Sequence, residues 1–315
     1  MPRQALLWVD NAEVFRQALE AAGLSLEIQS FHRDEIPPAA MVRDIELMLA
    51  WQAPPGFLEH MPQLKWIQTP NVGVREWLER TDLRADIALS CGRGIHRVQM
   101  PENILGALFH ITKHYWDYVM RQRDKRWGRH LSEPLAGKTL GILGLGTIGQ
   151  ELARKAEALE MRVIGTKRAP QALAHVEKVY GPDATDEVLA QSDYVLLLLS
   201  LTPETEGIMN KRRFKAMKPS AWLLNFARGA LVLDDDLIEA VKSKAIAGAV
   251  LDVFRKEPLP PEHPFWTTEG ILVLPHIGGG HPNRDGIVAE LFVENVRRYL
   301  AGEPLLSLVD RVKGY

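Results

Sequence analysis

The sequence predicts an α/β protein built from parallel sheets and divided into two domains. Three observations carry that prediction. Short apolar runs alternate with longer helical patterns along the chain, the signature of strands joined by crossover helices. Several of the runs, such as Tyr194–Leu199 (YVLLLL), are apolar on both faces, as strands covered by helices on each side are. The length, 315 residues, holds about two domains of ~150 residues each.

Taken in order, the first hundred residues carry candidate strands at Ala5–Val9, Leu26–Phe31, Glu46–Trp51, Lys65–Thr69 and Ile87–Cys91. A helix is expected over Ala12–Ala22, stopped at Gly23, where a residue free to take positive φ ends it. A long helix follows Pro101, whose missing N–H costs nothing in a first turn, and is expected to run to about Lys125. The second half carries six candidate strands, Thr139–Leu143, Met161–Thr166, Tyr194–Leu199, Ala221–Phe226, Ile246–Phe254 and Ile271–His276, with helices such as Thr147–Leu159 and Asp234–Ser243 between them. The final helix, near Arg284–Leu300, is read as returning to the first lobe. That gives one domain of residues 1–101 with 285–315 and a second of residues 102–284 inserted into it. Two chain crossings make a hinge, and a cleft between lobes is the default ligand site.

Composition narrows the function. With 46% apolar and 25% charged residues the chain reads as globular. Lys plus Arg is 38 and Asp plus Glu is 40, a net charge of −2. No global field therefore draws in nucleic acid or an anionic membrane. A single cysteine, Cys91, forms no internal disulfide and suits a reducing compartment. Asp10 interrupts any signal-peptide core, and no apolar stretch approaches the ~20 residues of a membrane helix. The expectation is a cytoplasmic protein.

Gly144-Leu-Gly146-Thr147-Ile148-Gly149 lies between a strand and a helical pattern. In G-x-G-x-x-G the first glycine permits the tight turn, the second admits a pyrophosphate to the backbone, and the third lets helix and strand pack closely. The helix N-terminus then offers N–H groups and partial positive charge. The next strand ends Gly165-Thr166-Lys167-Arg168 without the acid that would accept ribose hydroxyls, 18 residues after Gly149 at Lys167. A carboxylate there would repel a 2′-phosphate, whereas Lys167, Arg168 and the Thr166 hydroxyl would bind it, so NADP(H) is the expected cofactor with NAD(H) as the alternative.

Three later segments each end a strand of the second half: Asn225-Phe-Ala227-Arg228-Gly229, Leu251-Asp252-Val-Phe-Arg-Lys-Glu257-Pro258-Leu259, and Pro275-His276-Ile-Gly278-Gly279. Open α/β sheets place ligands at the C-terminal ends of their strands. Singly, such residues are usually a surface turn, a solvated acid and a structural histidine. At matched strand ends they are expected to converge. An arginine, a carboxylate and an imidazole in one cleft can together fix an anionic group, polarise a carbonyl and supply a proton. Arg228 suits the first two roles through its fork of donors. His276 suits the third, with Glu257 on the other ring nitrogen keeping the imidazole oriented.

On GLGTIG, LTPET (Leu201–Thr205), NFARGALV, AVLDVFRKEPLP and LPHIGG, in this order and spacing, the chain resembles the D-isomer-specific 2-hydroxyacid dehydrogenase family from about residue 45 to 300. Trp51 in LAWQAPP, Trp127 and the Thr-Lys-Arg turn make it most like the glyoxylate and hydroxypyruvate reductases of that family. The resemblance implies two Rossmann-like domains, a doubly wound cofactor domain inserted into a smaller flavodoxin-like one. It implies that Asp252 holds the nicotinamide carboxamide, with Thr205, Ala227 and Gly278 also on the cofactor. It implies that Trp51 and the backbone amides of Val72, Gly73 and Val74 take the substrate, and that relatives pair as dimers through the long helix, where Trp116 or Tyr118 would face a partner. Arg75, Ser200 and Phe226 depart from the family pattern and bear on the substrate pocket. A nucleotide-sensing scaffold like the corepressors built on this fold, and a formate dehydrogenase, are the alternatives.

His110 and His114, four apart on the expected long helix, have a zinc-like spacing without an accompanying acid and read as ordinary helix residues. The basic stretch Arg121–His130 reads as a solvated helix end.

Overall fold

The computed structural model describes residues 3–314. In chain order the elements are β1 (Arg3–Trp8), α1 (Ala12–Ala21), β2 (Leu26–Phe31), β3 (Leu47–Ala50), β4 (Trp66–Gln68), α2 (Arg75–Leu78), β5 (Ala88–Ser90), α3 (Gln99–Lys113), α4 (Tyr115–Arg123), β6 (Thr139–Leu143), α5 (Thr147–Glu157), β7 (Arg162–Thr166), β8 (Lys178–Tyr180), α6 (Thr185–Gln191), β9 (Tyr194–Leu197), α7 (Lys211–Ala216), β10 (Trp222–Asn225), α8 (Asp234–Lys242), β11 (Gly248–Leu251), β12 (Ile271–Val273) and α9 (Arg284–Ala301). The chain forms two compact units, one from the segment up to Ile95 with the segment from His281 onward, the other from His96–Gly280.

The first unit is a five-stranded sheet in the order β2-β1-β3-β4-β5, every pair parallel. This is the 2-1-3-4-5 order of flavodoxin-like folds. Helix α9 joins this unit through a buried stripe, Val288, Ala289, Phe292 and Val296, at the spacing of one helix face. Phe292 meets Trp66 at 5.7 Å and Phe15 at 6.3 Å between ring centroids. Burying such a side chain stabilises by about 1.5–3 kcal/mol. A satisfied polar chain crosses the same core: Trp66 Nε1 donates to Ser90 Oγ, Ser90 Oγ to Gln68 Oε1, and Asn295 Nδ2 to Gln68 Oε1 at 2.8 Å. Fully buried Asn295 also takes the Leu306 N–H, tying the segment after α9 to the sheet.

The second unit is a seven-stranded parallel sheet, β8-β7-β6-β9-β10-β11-β12. Counted from its own first strand the order is 3-2-1-4-5-6-7, the dinucleotide-binding order with one strand added. Strands β6, β9 and β11 are buried along their whole length, as their two-faced apolar sequences require. The order reverses between β6 and β9, which is where such sheets open a crevice beyond the strand ends.

Two elements differ from the expectation. Seven strands stand where six were expected, because Lys178–Tyr180 adds an edge strand too short and too polar to show periodicity. The long helix expected from Pro101 to about Lys125 is broken at His114, which takes φ 55° and both ends α3 and begins α4. The Thr112 carbonyl, which would accept the next helical N–H, instead accepts that of Glu133, and Lys113 Nζ donates to the Glu133 carbonyl at 2.6 Å, so a distant segment is tied to the end of α3. His110 and His114 therefore do not share one helix face. Among the described residues no group of three or more His, Cys, Asp or Glu is placed to hold a metal ion, and no helix is long and apolar enough to cross a membrane.

Candidate active site

In the second unit the glycine turn leaves β6 at Gly144. Its φ of 108° excludes other residues, and a Cβ there would lie 2.7 Å from the Leu198 carbonyl oxygen. Gly149 is fixed by packing, since a Cβ would meet the Gly144 oxygen at 2.8 Å. A Cβ on Gly146 meets nothing within 4 Å. Its freedom is required by no protein contact, so the space beside it is open to a ligand. Gly146 caps α5, and Gly146 and Thr147 are exposed, with Ile148 partly so. The first-turn N–H groups lack helical partners and carry the positive end of the helix dipole. This donor set fits a pyrophosphate.

The turn after β7 stands beside this loop. Thr166 is buried in the sheet, its carbonyl accepting the N–H groups of Gly144 and Leu145. Lys167 Nζ donates to the Leu145 carbonyl at 3.2 Å, which places an ammonium against the glycine turn, and Arg168 follows, exposed. Thr205 keeps its hydroxyl within its own loop, donating to the Ser200 carbonyl at 2.7 Å and accepting the Thr202 N–H at 2.8 Å.

Arg228 follows β10. Asn225, at the strand's last position, braces the turn from both directions: its Nδ2 donates to the Arg228 carbonyl at 2.9 Å, and its Oδ1 accepts the Ala227 N–H at 3.1 Å. The guanidinium bonds the Ala227 carbonyl through Nη1 at 2.6 Å. It is reachable by solvent yet densely ringed by protein; that burial lowers its pKa from the ordinary arginine value, and the nearby Glu257 carboxylate opposes the fall. Arg255 supports the same turn, donating to the Ala230 and Val232 carbonyls.

Glu257 Oε2 lies 2.6 Å from His276 Nδ1, and Glu257 Oε1 accepts the Phe254 N–H at 2.9 Å. One carboxylate thus joins the loop after β11 to the imidazole after β12, leaving Nε2 as the ring's free edge. His276 itself sits at φ 54°, a conformation that a non-glycine residue keeps only when its surroundings impose it. Asp252, 1% exposed, accepts the N–H of Ile277 at Oδ1 (2.7 Å) and of Gly278 at Oδ2 (2.8 Å). Burial pushes its carboxyl above the ordinary aspartate value, while those two N–H groups and the neighbouring His276 oppose the rise.

Arg228, Glu257, Asp252, His276 and Gly278 are therefore brought to one end of the seven-stranded sheet. In the first unit, the N–H groups of Val72, Gly73 and Val74 have no hydrogen-bond partner among the described residues, and Val72 and Gly73 are exposed. Arg75 pairs with Glu79 at 2.6 Å along α2. The Trp51 carbonyl accepts from Trp77 Nε1 at 3.1 Å, and its ring carries the Arg284 guanidinium at 4.2 Å. Arg284 also bonds the Pro70 carbonyl at 3.1 Å. Sequence reading did not single out Arg284, Asn225 as a brace, or Asn103, whose Nδ2 reaches the Ile277 and Gly278 carbonyls at 3.0 Å each. Of these only Asn225 has a sequence signal, its place in the Arg228 segment.

Residues 105–278, more than half of the chain, match the family model described as the NAD-binding domain of D-isomer-specific 2-hydroxyacid dehydrogenases. A glyoxylate/hydroxypyruvate reductase A from Photorhabdus laumondii is 32% identical over 85% of this chain and 87% of its own. Another from Yersinia enterocolitica is 28% identical over 97% of each. Among solved structures, a D-isomer-specific 2-hydroxyacid dehydrogenase from Xanthobacter autotrophicus Py2 in complex with NADPH and MES superposes with a TM-score of 0.89 at 31% identity, covering 100% of both chains. An NADPH-dependent glyoxylate/hydroxypyruvate reductase from Sinorhizobium meliloti, solved with NADP and sulfate, superposes at 0.85 with 27% identity, covering 99% of this chain and 100% of that one.

Proposed function

The chain belongs to the D-isomer-specific 2-hydroxyacid dehydrogenase family, and from that premise we propose that it is an NADP(H)-dependent reductase of small 2-keto acids, glyoxylate or hydroxypyruvate among them, yielding D-2-hydroxy acids. The observation that carries this reading is the short Glu257–His276 contact, 2.6 Å, set at the same sheet end as Arg228. It supports a proton donor held in one orientation beside a carboxylate-binding cation.

Gly144, Gly146, Gly149 and the first turn of α5 would hold the pyrophosphate, with Thr205, Ala227, Asp252 and Gly278 along the rest of the dinucleotide. Lys167 and Arg168 would take the 2′-phosphate. When bound, the reduced nicotinamide supplies the hydride. The chain's own residues do the remainder. Arg228 binds the substrate carboxylate and polarises the ketone oxygen. His276 gives its Nε2 proton to that oxygen as negative charge develops there. Glu257, accepting from Nδ1, stabilises the imidazolium before transfer and fixes the ring during it. In this reading the enzyme works in the cytoplasm as a homodimer. Exposed Tyr115, Trp116 and Val119 on α4, with Trp127 and Leu131 beyond it, are the apolar surface that a second copy would cover.

The test is a panel of 2-keto acids offered with NADPH and with NADH. Nicotinamide oxidation should be fastest with NADPH and glyoxylate or hydroxypyruvate. No oxidation with any keto acid would favour the nucleotide-sensing scaffold and overturn the reading.

A further inference from the structure

We infer that Asn103, on α3, is a positioning residue for His276. This rests on the reading of His276 as proton donor. The turn that presents the imidazole is gripped on both edges. On one edge the N–H groups of Ile277 and Gly278 go to the two carboxylate oxygens of Asp252, at 2.7 and 2.8 Å. On the other, the carbonyls of the same two residues both accept from Asn103 Nδ2, at 3.0 Å each. A primary amide carries two N–H donors, and Asn103 commits both to this turn. Between them the two side chains hold three successive peptide groups, those joining residues 276 to 279, immediately after a residue at φ 54°. The backbone of His276 is itself drawn into a tight turn, its N–H reaching the Leu274 carbonyl at 3.1 Å.

The strained residue explains why two clamps stand here. Left to itself, His276 would relax toward negative φ and swing its ring away from Glu257. Asp252 alone holds only the N–H edge, about which the peptide planes can rock. Asn103 closes the other edge from a different element, 174 positions away in sequence from Ile277. Its neighbour in the fold agrees: a Cβ on Gly279 would lie 2.8 Å from the His96 ring, so the turn is seated closely against the segment leading into α3. Asp252 also stands among the cofactor residues, so altering it mixes two effects. Asn103 is not itself among those residues, although one of the two carbonyls it holds belongs to Gly278, which is.

The test replaces Asn103 by leucine, which keeps the branched four-atom skeleton and removes both donors. Turnover with NADPH and the best keto acid should fall about ten-fold or more, the scale on which small misplacements of a catalytic group act. KM and the NADPH dissociation constant, read by nucleotide fluorescence, should change by less than about three-fold, because every side chain assigned to binding is retained and the Asp252 grip on Gly278 remains. The solvent deuterium isotope effect on kcat should rise as proton delivery slows, and Asn103→Gln, which retains the donors, should recover part of the rate. A merely structural latch would lower the melting temperature and leave kcat per folded molecule and the isotope effect unmoved; that result overturns the inference. Asn103→Ser carries the same test if the leucine variant does not fold. Wild-type turnover beside an equally fast leucine variant refutes this inference alone, whereas absence of turnover by the wild type refutes the functional reading and this inference with it.

Discussion

Replacing Glu257 by glutamine removes one charge and almost no volume. In the native protein Oε1 is committed to the Phe254 N–H at 2.9 Å and Oε2 to His276 Nδ1 at 2.6 Å. Glutamine can satisfy Phe254 only with its carbonyl oxygen, so its NH2 group must face Nδ1. Two donors then confront each other whenever the imidazole is protonated, and the proton-donating form is disfavoured. A hydrogen bond to a charged group contributes about 1.5–3 kcal/mol and a neutral one about 0.5–1.5, a difference of about 1–1.5 kcal/mol. The His276 side chain is 51% exposed and that of Glu257 34%, so water screens the pair and the lower end applies. The expected loss is about five-fold in kcat for keto-acid reduction. The assay is steady-state reduction at saturating NADPH and substrate, with NADPH affinity measured separately. A kcat within about two-fold of wild type, or a loss confined to KM, would refute the role of this carboxylate.

The glycine turn separates packing from binding. Gly149→Ala places a Cβ 2.8 Å from the Gly144 oxygen and should cost about 1–3 kcal/mol of stability. Gly146→Ala, with open space around it, should stay within about 0.5 kcal/mol of wild type while weakening NADPH binding about ten-fold; thermal melts and fluorescence titration decide. Lys167→Asp should shift the NADPH/NADH ratio of kcat/KM toward NADH, and an unchanged ratio would remove Lys167 from the phosphate site. Asp310 is held down to about 2, first by the Lys313 ammonium and then by the Lys313 and Val312 N–H groups. Its folded value lies below an unfolded value near ~3.9, so its stabilisation is complete above about pH 4 and is lost as pH falls toward 2. Asp310→Asn should flatten part of the decline in melting temperature across that window.

The legible parts of this protein are those whose causes lie close together in sequence. The strands and the crossover pattern showed because each buried run is local, and Arg228, Glu257 and His276 stood out because each directly follows or lies near a strand end. The rest depends on partners far along the chain. Helix α3 stops at His114 because Glu133 takes the Thr112 carbonyl, which no window around Thr112 contains. Strand β8 is an edge of mixed polarity and has no two-faced burial to announce it. Asn103 reads as one polar residue in an amphipathic helix; only the folded chain brings it to the turn after β12. The −2 net charge likewise conceals where charge is local: Lys167 and Arg168 beside the glycine turn, and Arg228 at the sheet end.

The most direct test of the central claim is the stereochemistry of the product. Hydroxypyruvate is reduced with NADPH, the oxidised cofactor is counted against the hydroxy acid formed, and the configuration of that acid is determined by chiral separation. One D-hydroxy acid should form for each NADPH oxidised. Formation of the L-acid, or NADPH oxidation without hydroxy acid, would contradict it.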